Sequence, residues 1–325
     1  MDYLKKLPLR RTLILSIEQG PEFLLDRAGG GELLNCVLSK LPPPAQKVKA
    51  LFLQDVSFMK NEQEAVRRAA ILRRFVHQYP GKFTAAQMDL EPYATEDWGC
   101  GTVADRRALA RSLGGLLRKI RIQLNGLPLG LDTGWWYAAV GKEIPEVAPE
   151  SLYRSVDELY LMVYGDPGGP LVGGSADRIL ERLDAPLFFS GPGQVYVALA
   201  SYEYRSPQHL QSEMSRIQGR LKARPHFAGF AIFHAGSAFN APLVRMISGV
   251  VNGPDGRGLA GVTVEAGRLH GRSNRCGQFG LRGLPEPNAE VVLRKAPYQT
   301  EQRTVESLKP GEPHDLGIIQ MKRTP

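Results

Sequence analysis

The chain has 325 residues, 43% apolar and 23% charged, with 41 Lys and Arg against 33 Asp and Glu for a formal net charge of +8. This is an ordinary globular composition, long enough for one large domain plus a small one or for two medium ones. No apolar run is long enough to span a membrane, and the three cysteines, Cys36, Cys100 and Cys276, fit no zinc spacing and allow at most one disulfide.

The charge excess is spread out. Its densest clusters, Arg67-Arg68 with Arg73-Arg74 and Arg118 to Arg121, lie in helix-like stretches. A solvated helix face explains them better than a nucleic-acid surface, because no stacking aromatics accompany them. The opening "MDYLKKLPLRR" lacks the apolar core of a signal peptide. That fits a cytoplasmic chain, or one whose export signal lies outside this sequence.

From Thr12 to about His234 short apolar runs alternate with helical ones. The predicted strands are Thr12–Ile17, Val48–Leu53, Phe83–Leu90, Leu129–Leu131, Leu159–Tyr164, Val195–Ala200 and Phe227–Phe233. "NEQEAVRRAAILRRFVHQY" opens on Asn61 as N-cap with Glu64 three residues on, the pattern of a capping box. "VADRRALARSLGGLLRKIRIQL" carries apolar residues at helical spacing. "SPQHLQSEMSRIQGRLKA" has Ser206 as N-cap and Pro207 at the first helical position. Strands alternating with helices predict a parallel sheet.

No glycine-rich phosphate loop follows the first strand, which argues against a dinucleotide fold. Nearly every strand instead ends near a polar or ionisable residue: Glu18, Asp55, Asp89 with Glu91, Asp132, Tyr164 with Asp166, Glu203, and His234. Singly, each competes with a helix cap or a solvated loop group. Together they form the ring of strand C-termini on which parallel barrels build their sites. The fold class is therefore α/β, a (β/α)8 TIM-type barrel. Seven strands are visible and eight are needed. The eighth is expected upstream of Met1, because "MDYLKKLPLRR" reads as a helix tail feeding a strand; a hidden strand around Pro186–Phe189 is the alternative.

After about Pro242 the pattern changes. "ISGVVNGPDGRGLAGVTVEA", "GQFGLRGLP", "AEVVLRKAPY" and "DLGIIQMK" read as short strands separated by turns, predicting a small antiparallel β-sandwich. The domain reading is a barrel over 1–243 and a sandwich over 244–325.

"TAAQMDLEPY", Thr84 to Tyr93, holds the densest chemistry. In a strand Gln87, Asp89 and Glu91 share a face. "MDLEPY", followed about seventy residues later by "LMVYGD", resembles the family 18 glycoside hydrolases (chitinases, endoglycosidases and non-catalytic relatives), with their Asp-x-x-Asp-x-Asp-x-Glu and Met-x-Tyr-Asp-like signatures. The resemblance implies a barrel in which Glu91 is the general acid and Asp89 orients and charges the substrate acetamido group. Met162, Tyr164 and Asp166 approximate the second signature, with Gly165 inserted. The two earlier aspartates fall on Thr84 and Gln87, and the family's strand-eight tryptophan on something near Phe233 or His234. "ISGVVNGPDGRGLAGVTVEA" and "SNRCGQFGLRGLP" resemble the carboxypeptidase regulatory-like (transthyretin-like) sandwich, which implies a secreted or periplasmic setting.

Cleaving a glycosidic bond takes a proton donor for the leaving oxygen and a negative group near the anomeric carbon. Glu91 is the expected donor, Asp89 its partner and Tyr164 the support for developing charge. Gln87, Asp132, Trp135, Asp166, Tyr202, Glu203, His234, Glu18 and Asp55 are the expected substrate-binding set. A second scheme pairs Glu91 with Glu203 as acid/base and nucleophile. Trp98 and Trp135–Trp136–Tyr137 suit either sugar stacking or packing over the barrel top. Neither scheme calls for a metal or cofactor; the partner is a carbohydrate, with no nucleic acid. A non-catalytic glycan binder is the rival class. "PGGPLVGG", Pro167 to Gly174, lacks the Gly-Lys-Ser/Thr ending of a P-loop and reads as a loop over the barrel mouth.

Overall fold

The computed structural model describes residues 12–19, 22–40, 47–164, 175–184, 186–189, 191–233, 245–309 and 313–324. All seven predicted strands form: β1 (Thr12–Ser16), β2 (Lys47–Phe52), β3 (Ala85–Met88), β4 (Leu129–Gly134), β5 (Glu158–Met162), β6 (Gln194–Ala200) and β7 (Phe227–Phe233). They make one curled parallel sheet in sequence order, each strand paired with the next. Among the described residues β1 and β7 do not pair, so the sheet is barrel-like and not closed. Pro186–Phe189, the alternative eighth strand, is a 3-10 turn, as suits a segment opening on a residue with fixed φ and no N–H.

The helices follow local chemistry. The longer ones are α1 (Gly30–Ser39), α2 (Glu62–Gln78), α3 (Val103–Leu124), α4 (Ala176–Arg182) and α5 (Pro207–Leu221). Asn61 Oδ1 accepts from Glu64 N at the start of α2, and Ser206 Oγ from His209 N at the start of α5. Thr102 and Asp105 form a reciprocal capping box on α3. Asn125, in the left-handed region at φ 46°, ends that helix.

Alternation sorts the sheet into two faces. Val48, Ala50, Phe52, Met88, Leu131, Leu161 and Val197 pack against Leu72, Leu113, Leu117 and Ile217 of the helices, forming the main core. Burying each Val, Leu, Ile, Met or Phe side chain among them contributes about 1.5–3 kcal/mol. The other face is polar. The register sets Lys49 beside Ala85, Gln87 beside Gly130, Gly130 beside Glu158, and Asp132 beside Tyr160, which in turn faces Tyr196. Gly130 is required there: a Cβ would stand 2.7 Å from Cε2 of Tyr160.

One expected solvated arginine is buried. Arg68 is 5% exposed. It donates to Glu64 and Glu18 and lies over the rings of Phe23 and Phe58. Two carboxylates and two ring faces replace its water.

The C-terminal strands β8 (Arg245–Asn252), β9 (Thr263–Ala266), β10 (Leu269–Arg272), β11 (Gln278–Leu284), β12 (Ala289–Arg294), β13 (Glu301–Val305) and β14 (Pro313–Gln320) make two sheets, ordered β11-β8-β14 and β10-β9-β12-β13. Their inward residues, including Ile247, Val264, Phe279, Val291 and Ile319, share a second core. The expectation of a wholly antiparallel sandwich is corrected at one pair: β14 runs parallel to β8. It enters that sheet by crossing over from β13 in the other, and a crossover leaves either direction open.

Candidate functional site

The strand carrying "TAAQMDLEPY" ends at Met88, short of the acids. Asp89 follows it directly. Glu91, with φ −106° and ψ 82°, opens a 3-10 turn over Pro92–Ala94. The two carboxylates therefore stand at the C-terminal end of β3, where the chain leaves the sheet. Asp132 reaches them from β4. It lies within the strand rather than past its end, since β4 runs on to Gly134.

Three carboxyl groups thus share one region. Burial pushes Asp89 up to about 7, and the charge of Glu91 adds to that. Glu91 is raised by burial, against which the hydrogen bond from the Tyr93 hydroxyl to its Oε1 pulls down. Asp132 is raised well above its ordinary value by burial and by Asp89, while a donor from Gln87 opposes the rise. That donor is Nε2, 2.7 Å from Asp132 Oδ1. Like charges this close in a poorly solvated place do not all ionise, so the group retains protons near neutral pH. Gln87 Oε1 and Asp89 Oδ1 are buried with no hydrogen-bond partner among the described residues.

Aromatic rings wall the group. Tyr93 meets Trp136 edge-on at 4.9 Å and Tyr137 at 6.0 Å. Trp98 stacks on Tyr137 at 6.3 Å. Trp98 and Tyr137 are buried, so packing is their role, whereas Trp135 and Trp136 are only half-buried. Trp135 has the guanidinium of Arg182 4.9 Å from its ring, and its Nε1 is a second kind of orphan, a buried donor. Across the sheet, Tyr164 follows β5 and stacks on Phe233, the last residue of β7, at 5.6 Å and 4° between planes.

Other expected site residues have structural partners. Glu18 accepts from Arg68 at 2.7 Å and from the backbone N–H of Gln54. Asp55 caps the turn Val56–Met59 by accepting from Ser57 N. Thr84 donates to the Val48 carbonyl. Tyr202 and Glu203 lie in the turn Ser201–Glu203 that follows β6. Asp166, His234 and the segment Pro167 to Gly174 lie outside the described residues.

Beneath the carboxylates is a layer the sequence reading missed. Lys49 Nζ donates to both oxygens of Glu158, at 2.8 and 2.7 Å, and to the Tyr160 hydroxyl at 2.6 Å. It also sits 4.5 Å from the ring centre of Tyr196. All four belong to the polar face. The signal was Lys49 itself, a lysine in mid-strand between the apolar Val48 and Ala50. Among the described residues, no group of three or more His, Cys, Asp and Glu is placed to hold a metal ion, and no helix is long and apolar enough to cross a membrane.

No protein-family model matches the sequence, and no curated protein does. Solved structures do. A GH18 chitinase from Pseudoalteromonas aurantia is 16% identical, with 71% of this chain and 96% of that one covered and a TM-score of 0.46. A modular endo-beta-1,4-mannanase of glycoside hydrolase family 26 from Cellulomonas fimi is 12% identical over 93% and 86%, at 0.44. A type II cohesin-X-dockerin complex from Acetivibrio cellulolyticus is 21% identical over 24% of this chain and 58% of its own, at 0.22. The chain thus spans little more than half the length of that last chain. At these scores the functional reading rests on the residues of the site.

Proposed function

We propose that the chain is a glycoside hydrolase acting on a polysaccharide or glycoconjugate, with Glu91 as general acid. The observation that carries this is the placing of Glu91 and Asp89 two residues apart at the end of β3, where burial favours the protonated carboxyl. A carboxylic acid whose hold on its proton is strengthened by burial can deliver that proton to a leaving glycosidic oxygen. Asp89, when ionised, offers a negative group for the positive charge that develops at the anomeric carbon. Tyr164, on its stack with Phe233, is the group assigned to support that charge. Trp135 and Trp136 offer the faces on which a sugar ring would rest.

Two other readings have their own support. Gln87 and Thr84 stand where the resemblance would put acids, which favours a glycan-binding barrel without catalysis. Glu203, in the turn after β6, supplies the second carboxylate of a retaining mechanism, which needs a separation of about 5–5.5 Å from Glu91. The disulfide between Cys100 and Cys276 supports a periplasmic or secreted location. The carboxypeptidase regulatory-like assignment of the sandwich remains part of this proposal.

The test is hydrolysis of a panel of β-linked polysaccharides, N-acetylated ones included, by the wild type and by Glu91→Gln. Loss of about 10²–10⁴-fold in rate with binding retained supports the acid role. Binding without cleavage by the wild type transfers the assignment to the glycan-binding reading. Neither cleavage nor binding removes both.

A further inference from the structure

A short, stiff path of chain joins the sandwich to the carboxylate site. On the barrel side it begins at Glu91. Ala94 N donates to the Glu91 carbonyl at 2.9 Å, Thr95 N to Pro92 at 3.1 Å, and Cys100 N to Glu96 at 2.8 Å. Thr95 Oγ1 accepts from Trp98 N, capping the helical turn Glu96–Gly99. Glu91 to Cys100 is therefore one continuous run of hydrogen-bonded turns, and it carries both Tyr93 and Trp98.

The far end of this run is fastened to the other unit. Cys100 is bonded to Cys276, with Cα atoms 5.3 Å apart and 176 residues between them in sequence. The neighbouring Arg275 reaches Asp97 Oδ1 at 2.8 Å and donates to the Glu96 carbonyl at 3.3 Å. The sandwich turn that bears them is itself rigid. Asn274 Oδ1 accepts from Cys276 N and Gln278 N. Gly277 adopts φ +79°, and a Cβ there would stand 1.9 Å from the Val251 carbonyl oxygen.

We infer that the sandwich turn Asn274–Gly277 is a positioning element for the carboxylate site. Through Cys276 and Arg275 it fixes the run Glu91–Cys100, and through Tyr93 it fixes the carboxyl of Glu91. Cys276 and Arg275 touch no reacting atom; they act through the run. The inference rests on the hydrolase reading for what the site does, and not for the mechanical link. A site loop on a barrel is otherwise free to move, and a misplacement of about 1 Å at an acid costs up to about 10²-fold in rate.

The experiment is amide hydrogen exchange on the full chain, with activity read on the same samples. The samples are wild type, Arg275→Ala, Cys276→Ser, and wild type reduced by dithiothreitol. The dithiol opens the Cys100–Cys276 bond by two successive exchanges. It leaves two protein thiols and becomes a cyclic disulfide itself. The expected result is exchange about tenfold faster over 92–100 in the altered samples, with β3, β4, β8 and β11 unchanged. Any hydrolysis falls by about tenfold, in kcat more than in KM. Unchanged exchange over 92–100 overturns the inference, because the run then holds itself. Faster exchange throughout both units also overturns it, because the bond is then a general stabiliser. If the local effect appears while the wild type cleaves no glycan, the hydrolase reading fails and the positioning link stands.

Discussion

Gln87 and Asp132 meet across the β3–β4 pairing, with the amide Nε2 2.7 Å from the carboxyl Oδ1. They are 45 residues apart in sequence, and each belongs to the polar face of its strand. A neutral amide donor stabilises the ionised form of a buried acid without adding charge. Gln87 therefore draws Asp132 back toward its ordinary value.

Replacing Gln87 by Leu removes that donor and keeps much of the volume. Asp132 then titrates at higher pH than in the wild type. Carboxyl carbon shifts followed by NMR across the pH range would show this directly, and an unmoved Asp132 would refute the assignment.

Asp89 makes stability depend on pH. Its folded value of about 7 lies above the ordinary 3.8, so the fold binds the proton more tightly than the unfolded chain does. Stability from this group is present below about pH 4 and is lost as pH rises toward 7. Asp89→Asn should therefore stabilise the protein at pH 8, by up to about 4 kcal/mol, and change little at pH 4. Urea melts at the two pH values check it. Equal effects at both would place the cause elsewhere.

Tyr93→Phe removes the hydroxyl that donates to Glu91. That bond favours the ionised form, so its loss raises the proton affinity of Glu91. If Glu91 works as an acid, the alkaline limb of its pH–rate profile moves to higher pH while kcat falls. A limb that stays in place would mean that another group controls it.

Lys49 and Glu158 are both buried, at 6% and 7% exposure. Lys49→Met leaves an uncompensated carboxylate and should destabilise by about 3–5 kcal/mol. Adding Glu158→Leu should recover most of the loss. Thermal or chemical melts of the single and double variants measure the coupling, and simple additivity would contradict it.

What could be read in advance depended on distance along the chain. The limits of α3, the capping of α5 by Ser206 and the seven strands were visible because caps and periodicity are local signals. Glu91 and Asp89 were visible because they lie two residues apart at a strand end. The partners of Glu18 and Asp132 were not. Arg68 is fifty residues from Glu18, and only the folded sheet decides whether a polar residue meets a ligand or a counter-charge. Cys100 and Cys276 were equally hidden, with nothing in either segment naming the other. The buried Lys49 layer was hidden for the same reason: Lys49 and Glu158 stand 109 residues apart, and a polar residue within a strand declares neither its face nor its partner.

The strand order has a consequence for how the chain matures. Among the described residues every strand from β1 to β7 pairs only with its neighbours in sequence order. Among the described residues no strand of this sheet waits for a partner made much later, so the sheet can extend one hairpin-free unit at a time as the polypeptide emerges from the ribosome. By this route the floor holding Gln87 and Asp132 is assembled once β4 has been synthesised, before any strand of the sandwich exists. Truncated nascent chains should accordingly acquire protease resistance in steps, one for each added strand and helix.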